Sequence, residues 1–171
     1  MIGKYIRLIL AILIIASSVF LFIYGYSGWG VLAVFAGLLL VLFQFKNETN
    51  LLAFFFIRRN NFAKAEAILS KVKHPEHMLK AQEAYHYYLL GLAQAQTHQP
   101  ALAEKSLKKA LSTGLRLKSD QAMAKLNLAG FYLSKRNKKL AKIHLMEAKK
   151  LDKQKMLTAQ IREVENMMKR I

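Results

Sequence analysis

Residues 85–110, YHYYLLGLAQAQTHQPALAEKSLKKA, decide the fold of the larger part of this chain. The stretch holds two segments on either side of a proline. The first contains the pair Leu90 and Gly91, and the second contains Ala103 and Leu107 at helical spacing. Small residues at such positions let two helix backbones approach closely, while a larger residue fills the neighbouring groove. The stretch therefore predicts two helices packed as a hairpin.

The same pattern recurs on both sides of this stretch with a period of 38 residues. Five sets of positions share the period: Leu52, Leu90 and Leu128; Ala53, Gly91 and Ala129; Ala65, Ala103 and Ala141; Leu69, Leu107 and Leu145; and Val72, Ala110 and Ala148. Self-similarity at a fixed period is the signature of a repeat architecture. Residues 47–152 are therefore predicted to form three helical hairpins.

One apolar helix face continues beyond the third copy, at Leu157, Ile161, Val164, Met168 and Ile171. Asp152 is expected to cap a final helix over Lys153–Arg170, of the kind that seals a repeat array. No convincing period-two alternation occurs in this part of the chain. The prediction is an all-α fold, with an α-solenoid at 47–152 and a C-terminal capping helix at 153–171.

The spacing resembles the tetratricopeptide repeat family, whose units pair a Leu–small dipeptide in the first helix with alanines and large apolar residues in the second. The matching positions are Tyr87, Leu90, Gly91, Ala103, Leu107 and Ala110, then Leu128, Ala129, Tyr132, Ala141, Leu145 and Ala148, with Asn61–Ala65 resembling the entry to a second helix. The period of 38 departs from the family's repeat of about 34, no unit has the family's Trp, and the closing Pro is missing or displaced. A generic stack of helical hairpins is the alternative.

The resemblance implies that the first helices of the units line a concave groove for a peptide or a helix. By the repeat register, the groove positions are Asn50, Phe54, Ile57, Tyr85, Tyr88, Leu92, Met123, Leu126, Asn127 and Leu133. Such a mostly apolar set suits an amphipathic helix of a partner protein. It lacks the Lys, Asn and Arg residues with which some family members bind a C-terminal carboxylate. The alternative is that these residues are core, covered by the final helix or by another subunit of a homo-oligomer.

The N-terminal part of the chain is apolar: Leu8–Phe45 contains no charged residue in 38 positions. A single helix of that length would measure about 57 Å, nearly twice the thickness of a bilayer core. The glycine-rich break at Gly25–Gly30 therefore predicts two membrane spans, at about 6–24 and 29–45, in a transmembrane hairpin that occupies residues 1–46. A cleavable signal peptide or a single anchor span is the alternative, although the apolar run is long and no Ala-x-Ala site is evident.

Basic residues lie near the outer ends of these predicted spans. Lys4 and Arg7 precede the first span, Lys46 and Arg58 follow the second, and the turn between the spans has none. By the positive-inside rule, both termini are expected in the cytoplasm, in a bacterial inner membrane.

The formal net charge is +17, from 27 Lys and Arg against 10 Asp and Glu, although 54% of the residues are hydrophobic. A basic patch is expected in the third unit, at Lys135, Arg136, Lys138, Lys139, Lys142, Lys149 and Lys150. Its candidate partners are the anionic lipid headgroups of the bilayer, an acidic protein or a nucleic acid, and the fourth interpretation is a solvated surface. Aromatic residues do not interleave with the basic ones, which makes nucleic acid the weaker expectation.

Residues with catalytic chemistry form no recognisable constellation. The carboxylates are scattered, the chain has no cysteine, and His74 and His77 have no third ligand at a suitable sequence spacing, which favours a solvated loop over a metal site. We therefore expect no enzyme, cofactor or metal. The predicted function is a membrane-anchored scaffold or adaptor that binds a protein partner at the cytoplasmic face. The alternatives are an accessory structural subunit of a larger membrane complex and, more weakly, a nucleic-acid binder.

Overall fold

A computed structural model describes residues 2–45 and 48–170, with the side chains of residues 12–38 and 48–170. The chain divides into two compact units, Met1–Glu48 (the N-terminal unit) and Thr49–Ile171 (the C-terminal unit). All regular secondary structure in the described residues is helical. The prediction of an all-α fold is therefore confirmed. The predicted boundary between residues 46 and 47 lies outside the described residues.

The N-terminal unit contains two helices, α1 (Ile2–Ile23) and α2 (Ser27–Phe45). The connection is shorter than predicted because only Gly25 takes a left-handed φ, of 81°, and α2 begins at Ser27. Gly30 lies within α2, where an added Cβ would come within 2.9 Å of the Phe22 ring, so this glycine allows the two helices to pack closely. Within the described part of the chain, no helix combines the length and the apolar content needed to cross a membrane.

The C-terminal unit contains seven α-helices in its described residues. Their bounds are α3 (Glu48–Arg58, which begins at the last residue of the N-terminal unit), α4 (Phe62–Ser70), α5 (Lys80–Gln96), α6 (Pro100–Thr113), α7 (Lys118–Ser134), α8 (Lys138–Leu151) and α9 (Thr158–Arg170), with a 3-10 turn at Pro75–His77 between α4 and α5. The first six form three successive helix–turn–helix pairs, α3/α4, α5/α6 and α7/α8.

The turns inside the three pairs repeat the 38-residue period in their backbone. Asn60, His98 and Arg136 all take left-handed conformations, with φ of 55°, 59° and 56°. In each pair, the next N–H donates to a carbonyl five residues earlier, for example from Asn137 to Tyr132 at 2.8 Å. This is the hydrogen bond of a Schellman motif, which ends a helix and satisfies its last carbonyls. The sequence period therefore corresponds to a structural repeat.

The core explains most of the repeated positions. Ala65, Ala103 and Ala141, each on the second helix of its pair, are fully buried. Gly91 faces Leu107, and a Cβ on this glycine would lie only 2.7 Å from Cγ of that leucine. Two positions depart from the pattern: Leu52 is 51% exposed, and Val72 lies beyond the end of α4.

The final helix begins at Thr158, five residues later than predicted. Asp152 does cap the preceding turn, since its carboxylate accepts hydrogen bonds from the N–H groups of Met156 at 3.0 Å and Leu157 at 2.8 Å. Lys155 within that turn has a left-handed φ of 55°, which prevents an earlier helix start. Helix α9 packs against α7 through an apolar cluster that includes Ile161 and Leu126.

Candidate partner-binding groove

A groove of about 780 Å³ lies on one side of the C-terminal unit, between α5, α7 and α9. Its apolar lining consists of Tyr88, Leu92, Met123, Leu126, Phe131, Leu133, Val164 and Met167. Its polar lining consists of Gln96, Asn127, Ser134, Gln160, Glu163 and Arg170, with Gly130 between them. The volume falls within the range of roughly 300–1,000 Å³ that is typical of ligand pockets.

Helical periodicity places one stripe of each helix on the groove. On α5 the stripe is Tyr88, Leu92 and Gln96, which are four residues apart and so lie one above another. Gly91 and Ala93 on the other faces of α5 are buried in the core. The small residues that bring α5 against α6 therefore also turn the larger side chains toward the groove.

Six of the ten predicted groove residues line the groove, and four do not. The six are Tyr88, Leu92, Met123, Leu126, Asn127 and Leu133. Leu126 and Leu133 are almost fully buried in an apolar cluster that also contains Ile161 and Val164 of α9, so the final helix packs on part of the inner face of α7 and leaves the rest open.

The four other residues lie on α3 or at the start of α5. Asn50 is buried and contacts α5, where its Nδ2 donates to the carbonyl oxygen of Gln82 at 3.0 Å. Phe54 is exposed, Ile57 is half-buried against the core, and Tyr85 packs beside Tyr88 with 5.9 Å between ring centroids. Three of the four were expected in the groove because the repeat register extends the face of α5 and α7 to α3. On α3, Asn50 and Ile57 lie on the core side and Phe54 on the exposed side.

The prediction missed the wall that α9 contributes. Gln160, Glu163, Val164, Met167 and Arg170 all line the groove from this helix. Their spacing of three and four residues marks one helix face, which the sequence displays. The repeat register carries no information about them, because α9 lies outside the repeats.

The electrostatic environment keeps the groove aromatic uncharged. Burial raises the pKa of the Tyr88 phenol well above its usual range, and the nearby carboxylate of Asp120 raises it further. Burial also raises the pKa of Asp120. The Tyr88 hydroxyl therefore keeps its proton at neutral pH and is available as a hydrogen-bond donor and acceptor.

The predicted basic patch is partly neutralised by neighbouring carboxylates. Lys135 contacts Glu104 of α6 at 2.5 Å, and Lys149 pairs with Glu165 of α9. Hydrogen bonds from Lys108 and Lys135 lower the pKa of Glu104 to about 2. The other five members of the patch are exposed, and in the described part of the chain none has a carboxylate within 4.0 Å. The patch is thus less uniformly cationic than its sequence suggests.

The 3-10 turn at Pro75–His77 does hold a third potential metal ligand, which the sequence spacing did not reveal. Nδ1 of His74 lies 2.9 Å from Oε1 of Glu76, and the rings of His74 and His77 stack with centroids 5.1 Å apart. Their ligand atoms all lie within 4.8 Å of one another, and all three side chains are exposed. A solvated turn remains the better interpretation.

Comparison with known proteins identifies no relative: no family model, no curated protein and no solved structure matches this chain.

Proposed function

We propose that this protein is a membrane-anchored adaptor, similar to tetratricopeptide repeat proteins, that binds an amphipathic helix of a partner protein at the cytoplasmic face of the membrane. One observation is the main support for the proposal. The inner face of α7 already holds an amphipathic helix, α9, and an apolar groove continues beside that helix toward α5.

The docking of α9 indicates which kind of ligand this surface accepts. Leu157, Ile161 and Val164 are buried at positions i, i+4 and i+7 of the chain. The same spacing anchors helices in the grooves of other proteins. Next to α9, Tyr88 and Leu92 of α5 provide a further apolar strip, which suits a second helix with the same anchor spacing.

The repeat architecture supports the family resemblance. The left-handed turn residues Asn60, His98 and Arg136 recur every 38 residues, together with fully buried alanines in the second helices. These features fit a solenoid of helical hairpins, in which the first helices line one face and the second helices line the other.

The composition of the N-terminal unit supports the membrane anchor. Leu8–Phe45 carries no charge, and large apolar side chains of the hairpin are exposed, among them Ile12, Leu13, Val19, Phe20, Ile23, Trp29, Leu32, Phe35 and Leu38. Such a surface is unfavourable in water and favourable in lipid. Lys4, Arg7 and Lys46 near the ends of the run favour cytoplasmic termini in a bacterial inner membrane. Anchoring raises the effective concentration of a partner in the same membrane, so a modest groove affinity suffices.

Affinity purification of the full chain from detergent-solubilised membranes tests the adaptor function. Gly130→Leu adds a large side chain to the groove lining at a position where a Cβ meets no atom within 4 Å. Ala101→Leu is the matched control on an exposed position outside the groove. We expect a partner that is retained by the wild type and by Ala101→Leu and is lost with Gly130→Leu. Recovery of no partner with this dependence would refute the adaptor function.

An accessory structural subunit is the second candidate, and the exposed aromatic residues of the hairpin favour it. Phe20, Trp29 and Phe35 are each more than 60% exposed, and they offer a surface for packing within a larger membrane assembly. Co-purification with such an assembly after deletion of residues 47–171, and its loss after deletion of the hairpin, would favour this function over the adaptor.

A further inference from the structure

Helix α3 presents an unusually apolar outer face. Leu51, Leu52, Phe54 and Phe55 are 59%, 51%, 37% and 47% exposed. Among the described residues, each of the other helices of the C-terminal unit has at most two large apolar side chains that are 37% exposed or more. A contiguous exposed apolar surface of this kind marks an interaction site.

The inner face of α3 fixes this orientation. Asn50 is buried through its hydrogen bond to the Gln82 carbonyl, and its Oδ1 lies 3.1 Å from Nδ1 of the buried His86. Ala53, on the same side of α3, is fully buried in the core. A rotation that hid Leu51 or Phe55 would break these polar contacts in the interior, so the outer face is a stable feature of the fold.

Two arginines complete the outer face at the C-terminal end of α3. The guanidinium carbon of Arg58 lies 5.8 Å from the centroid of the Phe54 ring, and that of Arg59 lies 4.2 Å from the centroid of the Phe55 ring. A guanidinium group forms bidentate hydrogen bonds to phosphate. Exposed phenyl rings beside arginines are therefore suited to the boundary between acyl chains and anionic headgroups.

The covalent chain limits the distance between α3 and the uncharged run. Glu48, the first residue of α3, is three peptide units after Phe45, the last residue of the uncharged run, so their Cα atoms are at most about 11 Å apart. If the run enters a bilayer, as proposed above, α3 begins at the surface of that bilayer.

We infer that α3 is an interfacial helix, whose Leu51, Leu52, Phe54 and Phe55 side chains insert into the cytoplasmic leaflet while Arg58 and Arg59 bind anionic lipid phosphates. This inference rests on the proposed membrane anchor and extends it. The C-terminal unit then contacts the lipid surface through its first helix.

Site-specific fluorescence tests the inference with little background, because the chain has no cysteine. The full chain is reconstituted into vesicles of 30% phosphatidylglycerol in phosphatidylcholine, as Leu51→Cys or Phe55→Cys. NBD maleimide is attached to the cysteine in detergent before the reconstitution, and quenching by lipids that carry a shallow nitroxide is measured. Met146→Cys on α8 is the matched control, since Met146 is also a large apolar residue, 59% exposed.

Blue-shifted emission and lipid quenching several-fold above that of the Met146 label are expected at both α3 positions. Arg58→Gln removes one contact between an arginine and a lipid phosphate, and vesicles of zwitterionic lipid remove the anionic charge. For each charge contact that is lost, the equilibrium constant for binding of α3 to the lipid surface is expected to fall about fivefold. Quenching no greater than at Met146 would overturn the inference. So would a blue shift without lipid quenching, which would show that α3 is covered by protein, such as a second copy of the chain.

Flotation of the same vesicles separates this inference from the proposed anchor. A chain that floats with the lipid but shows no quenching at Leu51 or Phe55 leaves the anchor intact and refutes the interfacial helix. A chain that alkaline carbonate strips from the vesicles, yet that shows quenching at Leu51 and Phe55 at neutral pH, refutes the anchor and supports lipid binding by α3. Absence of both signals refutes both.

Discussion

Nδ1 of His86 lies 3.1 Å from Oδ1 of Asn50, in the buried interface between α3 and α5. The amide nitrogen of Asn50 donates to the Gln82 carbonyl, so its oxygen faces the imidazole, and Nδ1 of His86 carries the hydrogen. The pair connects the first and second repeats through polar atoms within an apolar core. It also explains why Asn50, expected in the groove, is part of the interior.

Acid is expected to destabilise the C-terminal unit through His86. Burial lowers the pKa of His86 to about 4, below its usual value of 6.5, so the unfolded chain takes up the proton first as the pH falls. The stability due to neutral His86 is present above pH 6.5 and is lost progressively toward pH 4. We expect the free energy of unfolding to fall by about 3 kcal/mol at most across this range, measured by urea titration with circular dichroism in detergent.

The control for this prediction is His86→Gln, which keeps a hydrogen-bond donor toward Asn50 and removes the titratable imidazole. Burial lowers the pKa of His144 as well, so His144→Gln measures the contribution of that residue. If the slope of stability against pH is the same in His86→Gln as in the wild type, His86 is not the group responsible.

Two glycine substitutions are expected to act in opposite directions. Gly91→Ala places a Cβ 2.7 Å from Cγ of Leu107 and 3.1 Å from its backbone nitrogen, and the backbone atom cannot move aside cheaply. We expect a loss of about 1–3 kcal/mol of stability from this overpacking. Gly130→Ala meets no atom within 4 Å and should gain roughly 0.5–1 kcal/mol from helix propensity. Thermal unfolding of both variants measures these changes in stability. An unchanged stability of Gly91→Ala would contradict the close packing of α5 on α6.

The carboxylate of Glu104 is expected to hold α6 against the end of α7. It accepts hydrogen bonds from the Tyr132 hydroxyl at 2.9 Å and from Lys135 at 2.5 Å, and its side chain is only 13% exposed. Because the lysine partners are half-exposed, we expect Glu104→Gln to cost about 1 kcal/mol, less at high salt. Its lowered pKa makes this contribution disappear as the pH falls from about 4.5 toward 2.

Glu163→Gln is the matched control for the Glu104 prediction, because Glu163 is an exposed carboxylate on the groove wall. Urea titrations at low and high salt compare the two variants. Equal effects of the two substitutions would show that Glu104 makes no special contribution.

The apolar face of α9 is expected to keep that helix on α7. Ile161 is 8% exposed and packs in the cluster that contains Leu126 and Leu133. Ile161→Ala should cost about 2 kcal/mol and raise amide hydrogen exchange in α9 roughly 30-fold. The exposed neighbour Arg162→Ala should leave exchange unchanged. Unaltered exchange in Ile161→Ala would mean that α9 is not held by this contact.

The 38-residue period allowed the sequence to predict the helical pairs and most of the core, because small residues recur wherever helices cross. No glycine marks the left-handed turns at His98, Arg136 and Lys155 in the sequence. Because the turn at Lys155 is not visible in the sequence, the predicted start of α9 is too early. Sequence spacing also cannot reveal a contact such as Lys135 with Glu104, 31 residues apart.

All predicted groove positions on α7, and two of the three on α5, line the cavity, because these neighbouring first helices share a face. Those on α3 do not, since its inner face contacts α5 and its outer face is exposed. The repeat register could not include α9, because that helix follows the repeats rather than belonging to them.

Site-specific photo-cross-linking in native membranes tests whether the groove binds a partner helix. A photoreactive benzoyl-phenylalanine at Gln96 or Met167 lies on the groove, and one at Ala101 lies on an exposed position outside it. We expect a discrete adduct with one protein from Gln96 and Met167, no such adduct from Ala101, and loss of the adduct in Gly130→Leu. Equal adducts from Ala101, or adducts that persist with Gly130→Leu, would show that the groove does not bind a partner helix.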